Sequence, residues 1–325
     1  MDEGETARYR VGVLGLGRMG APVAIALSEH HDVTAFDPLP ERVRALGSAS
    51  ADHGAGPFPA ATLRDAVASV DVLITVLPGA AEFGACTDEI ADALPRDALW
   101  IDLTSNDPRL AERAAARAEE RGVLFVAAPM AGGPDAAEAR SLRFTVSGSE
   151  RAVRQARPLL RHLAAADGIE VVGYRVGDAS VAKLLANLLW FHNAAAASEA
   201  ILLGSALGFD PAALRELLAR GAGSSVLLER DFSPVHRGDY RPQFGIDRVV
   251  EELDVLTALA AENGVPFDLS SVVARLHRDA LARFGAIDGE LLVARLLEER
   301  SPSTLRSAEG TAGSGGQTHS EGCRP

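Results

Sequence analysis

The chain has 325 residues, 47% hydrophobic and 24% charged, with a formal net charge of −13. That length suits two domains with sizeable cores. The acidic balance excludes nucleic acid and an anionic membrane surface as partners, since both need a basic footprint. Two cysteines, Cys86 and Cys323, supply no disulfide framework, so a reducing cytoplasm is the natural compartment.

Residues 1–8 read as a polar leader with no signal-peptide pattern. Residues 9–15 form a short Val-rich run that predicts a buried parallel strand. Gly15-Leu16-Gly17-Arg18-Met19-Gly20 follows and opens a helix pattern over 21–27. A second strand at 32–37 closes on the Asp37-Pro38 turn. Then come helix (41–46), a Gly- and Pro-rich loop, helix (62–68), strand (72–77), helix (86–94), strand (99–103), helix (108–121) and strand (124–127). Residues 144–148 and 170–173 read as later strands of the same sheet. Strands alternating with helices of about ten residues imply βαβ units and a parallel sheet. The expected fold is an α/β Rossmann-type domain over 1–176. From Gly177 onward the pattern is helical. A helix over 180–207 leads an all-α substrate and dimerisation domain at 177–300, including helices begun by Asp210-Pro211 and at 245–263 and 269–284. The Ser-, Thr- and Gly-rich tail at 301–325 lacks apolar anchors and is expected to be disordered.

G-x-G-x-x-G after a strand and before a helix is a dinucleotide-binding pattern. Its first glycine permits the tight turn and its second lets the backbone approach a pyrophosphate. The third allows close helix–strand packing, with the phosphates on the helix N-terminus. Asp37, at the end of the second strand, suits a ribose 2′-OH and would repel a 2′-phosphate. NAD is favoured, while Arg42 and Arg44 keep NADP possible. On the apolar helix, Lys183 and Asn187 stand four apart on one face. A lysine forced toward a core loses hydration, and its pKa falls toward a range useful for proton transfer. The competing reading has Lys183 reaching out to solvent and Asn187 capping a neighbour's backbone. Lys183, Asn187, His192, Asn193 and Glu199 argue against a membrane span. Trp190 shares the Lys183 face. His30-His31-Asp32 reads as a surface turn rather than a metal site, and Cys86 has no His partner for nucleophilic catalysis. No metal is expected.

Four segments together resemble the β-hydroxyacid dehydrogenases, the family of hydroxyisobutyrate dehydrogenase and tartronate semialdehyde reductase, over roughly 9–300. They are residues 15–27 (GLGRMGAPVAIAL), Leu77-Pro78, residues 102–108 (DLTSNDP) and residues 177–187 (GDASVAKLLAN). The resemblance implies hydride transfer between nicotinamide and a small hydroxy or carbonyl substrate. Lys183 would be general acid or base and Asn187 would hold the substrate or the amine. Leu77, Pro78, Thr104 and Ser105 would border the cofactor. The helical domains would pair into a homodimer or larger homo-oligomer, with Tyr240, Arg241 and Phe244 reaching a second subunit's site.

Several positions depart from the family pattern. The family's Ser-Gly-Gly stands here as Ala131-Gly132-Gly133, and its late Lys-Asp pair falls at Glu251-Glu252. In the lysine motif, alanines occupy 179 and 186. Ala131, Gly132, Gly133, Trp190 and Glu251 become the candidate substrate residues. These departures imply a neutral or amine-bearing substrate rather than a standard hydroxyacid. One alternative is an imine reductase, matched at Leu103-Thr104-Ser105 and Met130-Ala131 but not at Lys183. Another is a nicotinamide-binding sensor without turnover.

Overall fold

The computed structural model describes residues 8–50 and 56–307. In chain order the elements begin β1 (Arg10–Leu14), α1 (Gly20–Ser28), β2 (Asp32–Phe36), α2 (Pro40–Ser50), β3 (Phe58–Pro59), α3 (Leu63–Val67), β4 (Val72–Thr75) and α4 (Ala80–Ala93). They continue with β5 (Leu99–Asp102), α5 (Pro108–Glu120), β6 (Leu124–Ala127), β7 (Met130–Ala131), α6 (Gly133–Glu138), β8 (Leu142–Gly148), α7 (Glu150–Arg161) and β9 (Ala164–Gly173). Helices follow: α8 (Gly177–Ala206), α9 (Pro211–Leu218), α10 (Ile246–Glu262), α11 (Asp268–Phe284) and α12 (Leu292–Glu299). Between α9 and α10 the chain makes a π turn at Leu227–Asp231 and a 3-10 turn at Ser233–Arg237.

The sheet runs β3-β2-β1-β4-β5-β6-β8-β7, with β9 paired to β8. The strands from β3 to β6 are parallel, and β8 runs antiparallel to β6. The first six strands thus form the expected Rossmann-type order, in which β1 and β4 feed their loops to one edge of the sheet. β1 and β4 read as unbroken apolar runs because both faces are covered: Val11, Val13, Leu73 and Ile74 are fully buried. A separate apolar core joins α8, α10, α11 and α12, including Leu184, Phe191, Ile246, Val273 and Leu296.

Several expected boundaries move. α4 starts at Ala80, one turn and a half before the expected residue 86, so Cys86 lies within the helix and donates its thiol to the Glu82 carbonyl at 3.3 Å. Gly84, inside α4, obscured that start. α6 and α7 fall where no helix was assigned. α8 begins at Gly177, three residues early, and its 30 residues span ~45 Å. A Cβ on Gly177 would stand 2.8 Å from Glu112 Oε1, so glycine lets α8 begin close against α5. His30-His31 is not a simple surface turn, since the His31 ring is buried and the His30 ring stacks on His162 at 4.0 Å. The expected disorder from residue 301 is corrected over 301–307. Leu305 is fully buried, its N–H donates to Glu298, and its carbonyl meets His236. Leu305 and these hydrogen bonds, with Thr304 Oγ1 donating to Glu298, hold that stretch. The remainder of the tail, 308–325, lies outside the described residues.

Candidate active site

The glycine loop is built by close approach. Gly15 has φ +94°, and a Cβ there would lie 2.2 Å from the Val76 carbonyl. On Gly20 it would lie 1.9 Å from the Gly15 carbonyl. Around Gly17 nothing stands within 4 Å of an added Cβ. Two glycines are therefore packed backbone to backbone and the middle one faces open space, which is the shape a pyrophosphate needs at the start of α1. These residues fit a dinucleotide.

Asp37 is only 3% exposed and does more than border that space. It accepts the Leu16 N–H at 2.8 Å and the Leu39 N–H at 2.9 Å, and pairs with Arg42 at 3.2 Å. The carboxylate thus holds the glycine loop and the Asp37-Pro38 turn together; Pro38 itself is exposed. Leu16 is buried and Met19 packs on the sheet core. Arg18 leaves the loop entirely. Its guanidinium donates to the Pro242 carbonyl and Asp288, bridging to the helical part.

Asp102 organises the next strand end. It is 1% exposed and accepts from Thr75 Oγ1 (2.8 Å), the Thr104 N–H (3.1 Å) and Asn106 Nδ2 (3.1 Å). Burial pushes its carboxyl up to about 6 despite those donors. Thr104 Oγ1 accepts the Leu77 N–H at 3.1 Å, tying the Leu77-Pro78 loop to the Thr104-Ser105 turn. Thr104 is buried, so its hydroxyl shapes the loop, while Pro78 and Ser105 line the adjoining cleft.

That narrow cleft lies between these loops and α8 and α10, and Leu184, Phe244, Arg248, Glu251 and Glu252 form its other wall. α8 is held among the helices by Leu184, Leu188 and Phe191, which sets the Lys183–Asn187 face against α10. Asn187 Nδ2 donates to Glu252 Oε2 at 2.7 Å, and Glu252 is 6% exposed. Lys183 is half-buried rather than exposed. Desolvation pulls its ammonium below lysine's usual value, while the Glu252 and Glu290 carboxylates work the other way. Burial pushes Glu252 and Glu290 up.

The candidate substrate residues separate in space. Glu251 lines the cleft: it accepts the Ala81 N–H at 3.2 Å and pairs with Arg248 at 3.0 Å. Trp190 turns into the helical core, its indole N–H donating to Asp231 at 3.1 Å. Ala131 and Gly132 are exposed, and Gly133, which starts α6, sits beside Gln243. Residues missed from sequence are Glu290 and Glu252 in its role as the partner of Asn187. Arg241 bridges Glu290 (2.6 Å) and Asp231 (3.2 Å) of its own chain, and Phe244 lines its own chain's cleft. Charged residues along an amphipathic helix read as a solvated face, so only the packing of α10 on α4 and α8 exposes the role of Glu252; Glu290 lies in the turn before α12, where no periodic pattern marks it. Among the described residues no group of three His, Cys, Asp or Glu side chains could hold a metal ion. No described helix is long and apolar enough to cross a membrane.

The chain is similar to known proteins over both of its parts. Residues 10–198 match the family described as the NAD binding domain of 6-phosphogluconate dehydrogenase. Residues 177–297 match the one described as NAD-binding of NADP-dependent 3-hydroxyisobutyrate dehydrogenase. A probable 3-hydroxyisobutyrate dehydrogenase of Mycobacterium bovis is 31% identical over 291 residues, 86% of this chain and 94% of that protein. The structure of 3-hydroxyisobutyrate dehydrogenase from Mycobacterium tuberculosis with L-serine superposes with a TM-score of 0.79 at 27% identity, covering 89% of this chain and 99% of that one. An imine reductase of Streptomyces aurantiacus, 21% identical, shares the fold at a TM-score of 0.56 and covers 89% and 99%. With a glycine loop shaped for a dinucleotide and likeness running through both parts of the chain, this protein belongs to the β-hydroxyacid dehydrogenase family of NAD(P)-dependent oxidoreductases.

Proposed function

We propose that this enzyme moves a hydride between nicotinamide and the carbinol or carbonyl carbon of a small molecule, with Lys183 exchanging the proton at oxygen. One observation carries the reading. Lys183 is the only lysine of the chain, whose other strongly basic residues are all arginine, and it stands desolvated where the two parts meet. A guanidinium stays protonated at any working pH, whereas a desolvated amine can lose and regain a proton. At this one position the chain keeps the exchangeable cation.

The bound nicotinamide supplies the hydride acceptor or donor. In the oxidising direction neutral Lys183 takes the hydroxyl proton as the carbonyl forms, and in reduction its ammonium returns it. Asn187, fixed by Glu252, orients the oxygen from one helical turn away. Asp37 and the glycine loop would hold the adenosine end, which supports NAD, and Arg42 beside Asp37 keeps NADP within reach. The separate helical core supports a domain division near residue 177. An apolar stripe along α8, with Leu185, Leu189, Leu203 and Leu207 all exposed, supports homodimerisation. A second reading, reduction of C=N bonds, draws support from the acidic cleft wall of Glu251 and Glu252.

Lys183→Ala is expected to lower the chemical step by ~10³ (range 10²–10⁴) with cofactor affinity nearly unchanged. Lys183→Arg, which keeps the charge, should be as slow. A variant keeping most of its activity would remove Lys183 from the mechanism. Selective isotopic labelling makes the sole lysine visible as one NMR resonance, expected to titrate below the usual ~10.4. Turnover of cyclic imines with no alcohol or carbonyl activity would select the second reading.

A further inference from the structure

The wall facing Lys183 carries a carboxylate oxygen with no donor. Glu252 Oε2 is engaged by Asn187, but Oε1 is buried and unpartnered, an arrangement that costs free energy until a donor arrives. Lys183 faces the same carboxylate but makes no hydrogen bond to it, and the nearby guanidinium groups are committed elsewhere. Arg248 holds Glu82 through two hydrogen bonds (3.0 and 2.7 Å) and Glu251 at 3.0 Å. Arg241 is held by Glu290 and Asp231, and Arg18 by Asp288. The N-terminal turn of α4 would be a natural seat for a substrate carboxylate, since helix N-termini attract anions. Glu251 fills it with the chain's own carboxylate, at 3.2 Å from the Ala81 N–H. A Cβ on Gly79 would lie 2.6 Å from Glu251 Oε2, so glycine at 79 admits that carboxylate at close range.

Resting on the dehydrogenase reading above, we propose that the substrate is a short amino alcohol whose ammonium group is received by Glu252 Oε1. The hydroxyl of the same molecule then lies toward Lys183, one helical turn from Asn187. In the reaction the carbinol C–H bond breaks and its electron pair leaves with the hydrogen as hydride to the nicotinamide ring. The hydroxyl proton passes to the neutral Lys183 amine and the C=O bond forms. The carbinol is oxidised, the nicotinamide is reduced, and the ammonium group is unchanged. A substrate carboxylate would meet Glu252 and Glu251 instead, and the guanidinium groups of Arg248, Arg241 and Arg18 are already held by carboxylates.

The test compares 3-aminopropan-1-ol, propane-1,3-diol and 3-hydroxypropanoate with NAD and with NADP, on the full chain. The kcat/KM is expected to fall in that order, by at least ~10-fold from the amine to the acid, a difference of ~1.4 kcal/mol. Glu252→Gln should shrink the amine-to-diol ratio at least tenfold, and Glu251→Lys should raise turnover of the acid. Independently of turnover, calorimetry with propylammonium and the nicotinamide-loaded protein should show binding that Glu252→Gln removes. A preference for the hydroxyacid, or an amine-to-diol ratio unmoved by Glu252→Gln, overturns the amine assignment and leaves the dehydrogenase reading intact. Binding of propylammonium without turnover of any of the three alcohols supports the ammonium site and counts against the dehydrogenase reading. Neither binding nor turnover overturns both.

Discussion

The nucleotide end and the substrate cleft are built by different means. At the nucleotide end the backbone makes the shape: Gly15 and Gly20 meet carbonyl oxygens at distances that exclude any side chain, and Asp37 fastens the loop through two N–H groups. In the cleft the side chains decide. Lys183, Asn187, Glu252, Glu251 and Arg248 stand on ordinary helices whose backbone would accept almost any residue. The first construction fixes a cofactor class and tolerates little change; the second leaves substrate choice to a few charges on a constant frame.

Substitutions at the two ends should therefore fail differently. Gly20→Ala places a Cβ against the Gly15 carbonyl, which cannot swing away, and is expected to cost about 3 kcal/mol or more in urea unfolding. Gly17→Ala, in open space, should leave stability within ~1 kcal/mol and weaken cofactor binding instead. If Gly17→Ala unfolded the protein and Gly20→Ala did not, the division between packing glycines and the open one would be wrong.

Acid should also separate the two regions. His277 is fully buried in α11 and its imidazole is pulled down to about 4. Its unfolded value is ~6.5, so its contribution is intact above that pH and is lost as the pH falls toward 4. Relative to wild type, His277→Phe is expected to gain up to ~3 kcal/mol between pH 7 and 4. Asp102 has the opposite sign. Its folded value near 6 lies above the unfolded one, so the fold gains as pH falls through 6, and Asp102→Asn should lose ground to wild type over that range. Urea titrations of the three proteins at several pH values read both effects. Parallel curves would mean that neither group feels its burial.

A smaller effect is expected at Asp37. Asp37→Ala leaves the Leu16 N–H without its acceptor, for ~1–3 kcal/mol, and frees Arg42. The preference for NAD over NADP should fall by about tenfold, and unchanged discrimination would mean that Asp37 serves the loop alone. Smallest of all, Glu82→Gln loosens its half-exposed pair with Arg248 and should cost less than ~1 kcal/mol.

Much of the fold was legible because periodicity and glycine placement are local signals. GLGRMG needs a strand before it and a helix after it, and both are there. The illegible parts have physical causes. β3 has two residues, too few for any pattern. The expected α4 fell short because Gly84, a poor helix former, interrupts its first turns, yet the helix runs through it. Leu305, a lone apolar residue in a polar stretch, gave no periodic signal, yet it helps to hold 301–307. In the site, Lys183 and Asn187 could be picked out as polar residues on an apolar helix. Trp190 shared their face by helical angle, but Asp231 draws it into the core.

The sequence by itself determined the Rossmann-type order, the dinucleotide site and the acid–base lysine as a candidate, since each rests on residue type and short-range spacing; the departures at Ala131 and Glu251-Glu252 were visible only beside the family pattern that the chain resembles. Only the tertiary structure decided where the charges go. Glu251 could have faced solvent, and Glu252 could have paired with any cation. Packing α10 against α4 and α8 seats Glu251 on a helix N-terminus and joins Glu252 to Asn187 while leaving one oxygen unpaired. These partners come from residues 65 to 170 positions apart, and no local pattern encodes such a distance.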